Sequence, residues 1–189
     1  MRVLLILIAT LLIPQCVSYR SSVSSINCIE AGTINFVNKE YNIIQFTADC
    51  NGYIYQKESL AVALETFVIL YADRFEKSEF EVWEHLRNLK IEVSVYPKIV
   101  KNVFDLKGKF YNIHAVSGLA INPKWIWVEI RTRSICDSSL IHELAHVIIW
   151  KTIGNRGDPD HEGSKFNGWT KEYTELIIEV NQTLRDLEI

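Results

Sequence analysis

Between Glu58 and Phe75 the apolar residues Leu60, Ala63, Leu64, Phe67, Val68 and Tyr71 recur at intervals of three and four. That is the spacing of one buried helical stripe, and it predicts a long helix backing a core. A second helical stretch, FEVWEHLRNL over 80–89, runs into KIEVSVYP, where Ile91, Val93 and Val95 alternate with Glu92 and Ser94. A period of two reads as a strand. KFYNIHAV and LAINP, on either side of Gly118, read as further strands, and KWIWVEIRTR over 124–133 is the clearest, with Ile126, Val128 and Ile130 on one side and Trp125, Trp127, Glu129 and Arg131 on the other. Upstream, residues 31–56 hold two β-type runs, TINFV and YNIIQFTA, and CNGY at 50–53 signals a hairpin turn. The segment WTKEYTELIIEVNQTLRDL forms a last amphipathic helix with Tyr173, Leu176, Ile177 and Val180 inward. Strands and helices in this order predict an α+β fold.

One stretch breaks the pattern. In SSLIHELAHVIIW, residues 138–150, removal of His142, Glu143 and His146 leaves a segment with almost no polar face. A helix that is apolar nearly all round belongs in a core, and polar groups placed there need partners, because burying them alone costs about several kcal/mol. Asp137 is placed to cap this helix and Gly154 to stop it, which predicts a length of about 16 residues.

Composition and charge narrow the function classes. The chain has 189 residues, 48% hydrophobic and 23% charged, which suits one core of ordinary globular kind. With 20 Lys and Arg against 23 Asp and Glu, and no basic run, nucleic-acid binding is not favoured. Arg2 precedes VLLILIATLLI, an apolar run of 11 residues. A span of the bilayer needs about 20, so the run reads as a signal peptide over 1–18. IPQC places Cys16 where a bacterial lipoprotein is acylated, a loose lipobox favoured over plain secretion with cleavage after Ser18. Residues 19–57 then form a serine-rich tether and a small β region in which a Cys28–Cys50 disulfide is expected, and 58–189 form the main domain. Cys136 is left over, and no CxxC pair exists to build a zinc ribbon.

His142 and His146 are four apart, so on a helix their imidazoles project from one face, as a single Zn²⁺ requires. Glu143 adjoins the first ligand and is placed to hold a zinc-bound water as general base. This is the HExxH arrangement of metallopeptidases. A catalytic zinc takes three protein ligands. The metzincin pattern needs Gly and His where Ile149 and Thr152 stand, which excludes it. A thermolysin-like third ligand would come from Glu172, Glu175 or Glu179, without the Asn-Glu motif expected ahead of it. His161, in GDPDHEGSKF, is the remaining candidate, with Asp158 and Asp160 beside it as alternative ligands or orienting groups.

HELAH, then 14 residues, then His161 followed by an aromatic in HEGSKF, resembles the SprT-like branch of the zincin metallopeptidases over roughly residues 115–170. The resemblance implies zinc held by His142, His146 and His161, Glu143 as base, and a zincin-like domain with a small mixed or antiparallel sheet, the HExxH helix and a C-terminal helix. Trp125 and Trp127 in 124–133 are read as packing residues; the resemblance offers a second reading, a strand along the rim of the cleft with Glu129 and Arg131 lining it and substrate added by β-augmentation. The export signal and the acidic balance separate this chain from the nuclear or cytoplasmic, DNA-linked work of that branch. Tyr173 is a weaker candidate for stabilising an oxyanion, against an ordinary place in its helix stripe. His85 and His114 are read as core or surface residues, and Asn181-Gln-Thr183 as a formal glycosylation pattern inside a helix.

The expectation is therefore an exported, lipid-anchored, zinc-dependent peptidase of the cell envelope acting on a protein or peptide. The alternatives are a non-catalytic zinc-binding lipoprotein on a degenerate peptidase fold, and a structural envelope protein whose HELAH is accidental.

Overall fold

The computed structural model of the protein describes residues 29–34, 44–49, 57–94, 98–104, 110–129, 134–154 and 168–189. The chain runs β1 (Ile29–Ile34), β2 (Ile44–Asp49), α1 (Lys57–Arg74), α2 (Glu79–Leu86), β3 (Lys90–Ser94), β4 (Lys98–Phe104), β5 (Phe110–Val116), β6 (Gly118–Asn122), β7 (Trp125–Glu129), a short 3₁₀ turn (Ile135–Asp137), α3 (Leu140–Ile153) and α4 (Lys171–Asp186). Five strands form one mixed sheet in the order β1-β2-β3-β7-β6, and β4 and β5 form a separate two-stranded sheet. The pairs β2–β3 and β3–β7 are parallel, whereas β1–β2 and β6–β7 are antiparallel. The fold is α+β, with α3 packed on β6 and β7 of the mixed sheet and α1, α2 and α4 packed around α3.

Local chemistry explains the helix limits. α1 begins with Glu58 in its first turn and ends with Arg74 in its last, each opposite the helix dipole charge it complements. α2 opens with a capping box: the Ser78 hydroxyl accepts from the Glu81 amide at 3.2 Å, and the Glu81 carboxylate accepts from the Ser78 amide at 2.9 Å. α3 stops at Gly154, whose φ of 81° is the left-handed conformation that favours glycine.

All six positions of the predicted α1 stripe are buried, together with Ile91 and Val93 of β3, Ile126 and Val128 of β7, and most of α3. α3 lies against β6 and β7 and contacts α1, α2 and α4, so the helix with the unusual polar trio is at the centre of the core. On α4, Tyr173, Leu176 and Val180 are buried and Ile177 is half-buried.

Several expectations are corrected. α3 is 14 residues long and begins after Ser139. Asp137 does not cap it: Asp137 ends the 3₁₀ turn, is exposed, and pairs with Arg185 at 3.4 Å. β4 was not foreseen; Ile99-Val100 and Val103-Phe104 come in apolar pairs that match neither period. β1 and β2, expected in a region ahead of the domain, extend its sheet through the β2–β3 pairing. β7 is not a rim strand. It lies between β3 and β6 and is buried on both faces, with Trp127 7% and Glu129 4% exposed. The reason is the tight turn after Asn122, whose side-chain oxygen accepts from the Lys124 amide at 2.8 Å and folds β6 back to the outside. Among the described residues β6 is the outer strand on that side.

The signal segment, Cys16, and the Cys28–Cys50 pair lie outside the described residues, and so do the CNGY turn, Val95, Ile130 and Arg131. Cys136 is a free, buried thiol. Among the described residues no helix is long and apolar enough to cross a membrane.

Candidate metal centre

One turn of α3 brings the two imidazoles together. The Nε2 atoms of His142 and His146 are 3.1 Å apart, with ring centroids at 4.8 Å and planes inclined by 74°. Two nitrogens at about 2.0–2.1 Å from one tetrahedral ion would be about 3.3 Å apart. The observed separation is close to that figure, and it is also a hydrogen-bond distance between the two rings.

The pair is set into the core. His146 and Glu143 are each 5% exposed, and His142 is half-buried. The wall behind the imidazoles is Trp169, itself 2% exposed, whose ring centroid is 4.8 Å from that of His146 and 5.2 Å from that of His142. The Trp169 indole N–H donates to the Thr174 hydroxyl at 3.2 Å, which ties the wall to the first turn of α4. Sequence reasoning missed Trp169. Its only signal is an aromatic residue placed directly ahead of the last helix, 23 positions beyond His146, and nothing in a linear pattern shows that proximity.

Gly118, the first residue of β6, sits directly against Glu143. A Cβ built on Gly118 would lie under 3.0 Å from both Glu143 Oε1 and Ser139 Oγ. The general-base candidate is therefore packed against bare backbone of the outer strand.

The other candidates separate cleanly. Glu175 and Glu179 pair with Arg74 of α1 at 3.2 and 2.5 Å, and Glu175 also pairs with Lys171 at 2.5 Å, so both face the α1–α4 seam. Glu172 is exposed, and its hydrogen bond to Thr170 at the start of α4 holds its carboxyl below the usual range. The Tyr173 hydroxyl meets that of Tyr71 at 3.1 Å, and its ring lies among Phe75, Tyr71 and Trp169. That is its stripe position, with the oxygen turned toward α1. His85 lies on α2, where its backbone carbonyl accepts from the Lys151 ammonium; burial and then the nearby Lys151 charge lower its imidazole pKa. His114 falls in β5, opposite Val100. Asp158, Asp160 and His161 lie outside the described residues, and among the described residues no group of three metal-ligating side chains forms.

Compared with protein-family models, with curated proteins and with solved structures, the chain matches none.

Proposed function

We propose that the protein is a zinc-dependent peptidase with a zincin-like domain, in which His142, His146 and His161 hold the metal and Glu143 is the general base. The observation that carries this reading is the convergence of two imidazole nitrogens at 3.1 Å beside a buried carboxylate on one helix. Burying ionisable groups in a core costs several kcal/mol unless partners compensate, and a divalent cation is a partner that suits two converging nitrogen donors.

Zinc bound there supplies a Lewis acid that polarises a substrate carbonyl and lowers the pKa of water to about 7. Glu143 takes one proton from the attacking water as its oxygen bonds to the carbonyl carbon. The same carboxyl returns that proton to the departing nitrogen as the C–N bond breaks. Trp169 excludes water from the far side of the imidazoles and restricts their ring orientation. β6, the outer strand beside α3, replaces β7 as the strand on which an extended peptide would pair. The substrate class is protein or peptide, and the N-terminal apolar run, read as a signal peptide, supports a substrate outside the cytoplasm.

The test is the metal content of the purified mature chain, beginning after the signal segment, for wild type and for the His146→Ala and His161→Ala variants. One zinc per chain, lost in both variants, together with peptide cleavage abolished by Glu143→Gln, is the expected result. Wild type that takes up no zinc after reloading would overturn the reading.

A further inference from the structure

Gly118 is a glycine without a conformational reason. Its φ is not in the left-handed region occupied by Gly154 and Gly168, so its backbone would accept any residue. What forbids a side chain is contact: a Cβ would overlap Glu143 Oε1 and Ser139 Oγ and approach Ser139 Cβ to 2.7 Å. The neighbouring hydrogen bonds show how the contact is held. The Ser117 carbonyl accepts from the Glu129 amide at 2.7 Å and from the Ser139 hydroxyl at 2.7 Å. Both lone pairs of that oxygen are thereby used, which fixes the Ser117–Gly118 peptide between β7 and the start of α3.

Ser139 departs from its local rule. It occupies the N-cap position of α3, yet its side chain makes no capping bond. An N-cap serine commonly stabilises its helix by accepting from a first-turn amide. Here the hydroxyl crosses to the outer strand, and the Ser138 hydroxyl accepts from the Leu140 amide in its place, at 3.2 Å. Departures of this kind concentrate where function constrains the fold.

We propose that Gly118 and Ser139 are positioning residues that set the Glu143 carboxylate relative to the imidazole pair. Gly118 does so by bringing bare backbone against the carboxylate. Ser139 does so by fastening the first turn of α3 to the strand that carries Gly118. The inference rests on the peptidase reading, because it concerns the base of that reaction.

The test is a double-mutant cycle on the full mature chain, with an internally quenched peptide library as substrate and apo-protein melting as the readout that needs no activity. Gly118→Ala is expected to keep one zinc per chain and to lower kcat about 100-fold, the scale of a 1 Å misplacement, with KM changed less than about twofold. Ser139→Ala is expected to lower kcat in the same direction by less, because removal of its hydroxyl loosens the strand without displacing the base. In the Glu143→Gln background Gly118→Ala is expected to change the residual rate by less than about twofold, because residues acting as a unit are not additive. In the apo protein Gly118→Ala is expected to lower Tm by about 3–8 °C in the wild-type background and by less beside Glu143→Ala, which relieves one of the three close contacts and leaves the two with Ser139. An active wild type in which Gly118→Ala multiplies the Glu143→Gln loss in full, or leaves kcat unchanged, overturns the positioning role alone. A zinc-loaded wild type no more active than Glu143→Gln overturns the peptidase reading and the positioning role with it.

Discussion

Replacing Tyr173 with Phe separates packing from catalysis at the back of the site. Tyr71 and Tyr173 are 5% and 8% exposed, and their hydroxyls are 3.1 Å apart. Phenylalanine keeps the ring against Phe75 and Trp169, whose centroids are 4.6 and 5.7 Å away, and removes one oxygen. The Tyr71 hydroxyl then stays buried without its partner, which costs about 1–2 kcal/mol, whereas removing both hydroxyls is close to neutral. For a chain of this length the single variant should melt about 2–8 °C lower, and Tyr71→Phe/Tyr173→Phe should return to within a degree or two of wild type. The same pair gives an alkaline signature. Burial raises the Tyr71 pKa most, with the Tyr173 hydrogen bond adding to it, and burial also raises Tyr173. Both folded phenols hold their protons more tightly than the unfolded value near 10, so their contribution to stability is complete below pH 10. It is lost as pH rises above 10 through the folded values. Denaturant melts between pH 8 and about 11.5 should show wild-type stability falling faster above 10 than that of the double variant. Because the hydroxyl faces α1, kcat of Tyr173→Phe should stay within about twofold of wild type. A loss near 100-fold, the scale of a missing oxyanion donor, or a double variant as unstable as the two singles combined, would refute the placement of this oxygen.

Two further outcomes are expected. Co²⁺ loaded in place of zinc should quench indole emission chiefly through Trp169, and Trp169→Phe should remove most of that quenching while keeping one metal per chain; equal quenching in the variant would disconnect Trp169 from the metal centre. Cys16→Ser should move the expressed protein from the detergent phase to the aqueous phase on partitioning, and unchanged partitioning would exclude a lipid anchor at that residue.

Much of the fold is written in periodicity. The α1 and α4 stripes could be read from sequence because each buries one face of a long helix, and three-and-four spacing has no competing explanation over 18 and 16 residues. The imidazole pair was equally legible, since residues four apart meet within a single turn whatever surrounds them. Legibility failed where placement depends on contacts distant in sequence. The packing of Trp127 was legible, but the rim position that the resemblance offered for β7 was not met, because parallel pairing with β3 and antiparallel pairing with β6 make the strand interior. Asp137 looked like a cap on composition, but the 3₁₀ turn moves the helix start beyond it. Gly118 and Ser139 carried no signal as neighbours of the HExxH trio and Trp169 only a faint one, because each contact is made with a residue far along the chain. The Ser139 hydroxyl reaches the Ser117 carbonyl, 22 positions earlier, and Trp169 reaches His146 across 23 positions. A linear pattern contains no such distances.

The order in which these parts leave the ribosome has a consequence of its own. The two imidazoles are separated by one turn of α3, so they can converge as soon as that helix forms. Their wall comes from Trp169 and α4, which are synthesised later, and the strand that abuts Glu143 is synthesised earlier. A chain made from its N-terminus therefore has both imidazoles, and the strand that abuts Glu143, before it has the aromatic wall behind them. Docking of α4, the last element, is then the step that encloses the two imidazoles.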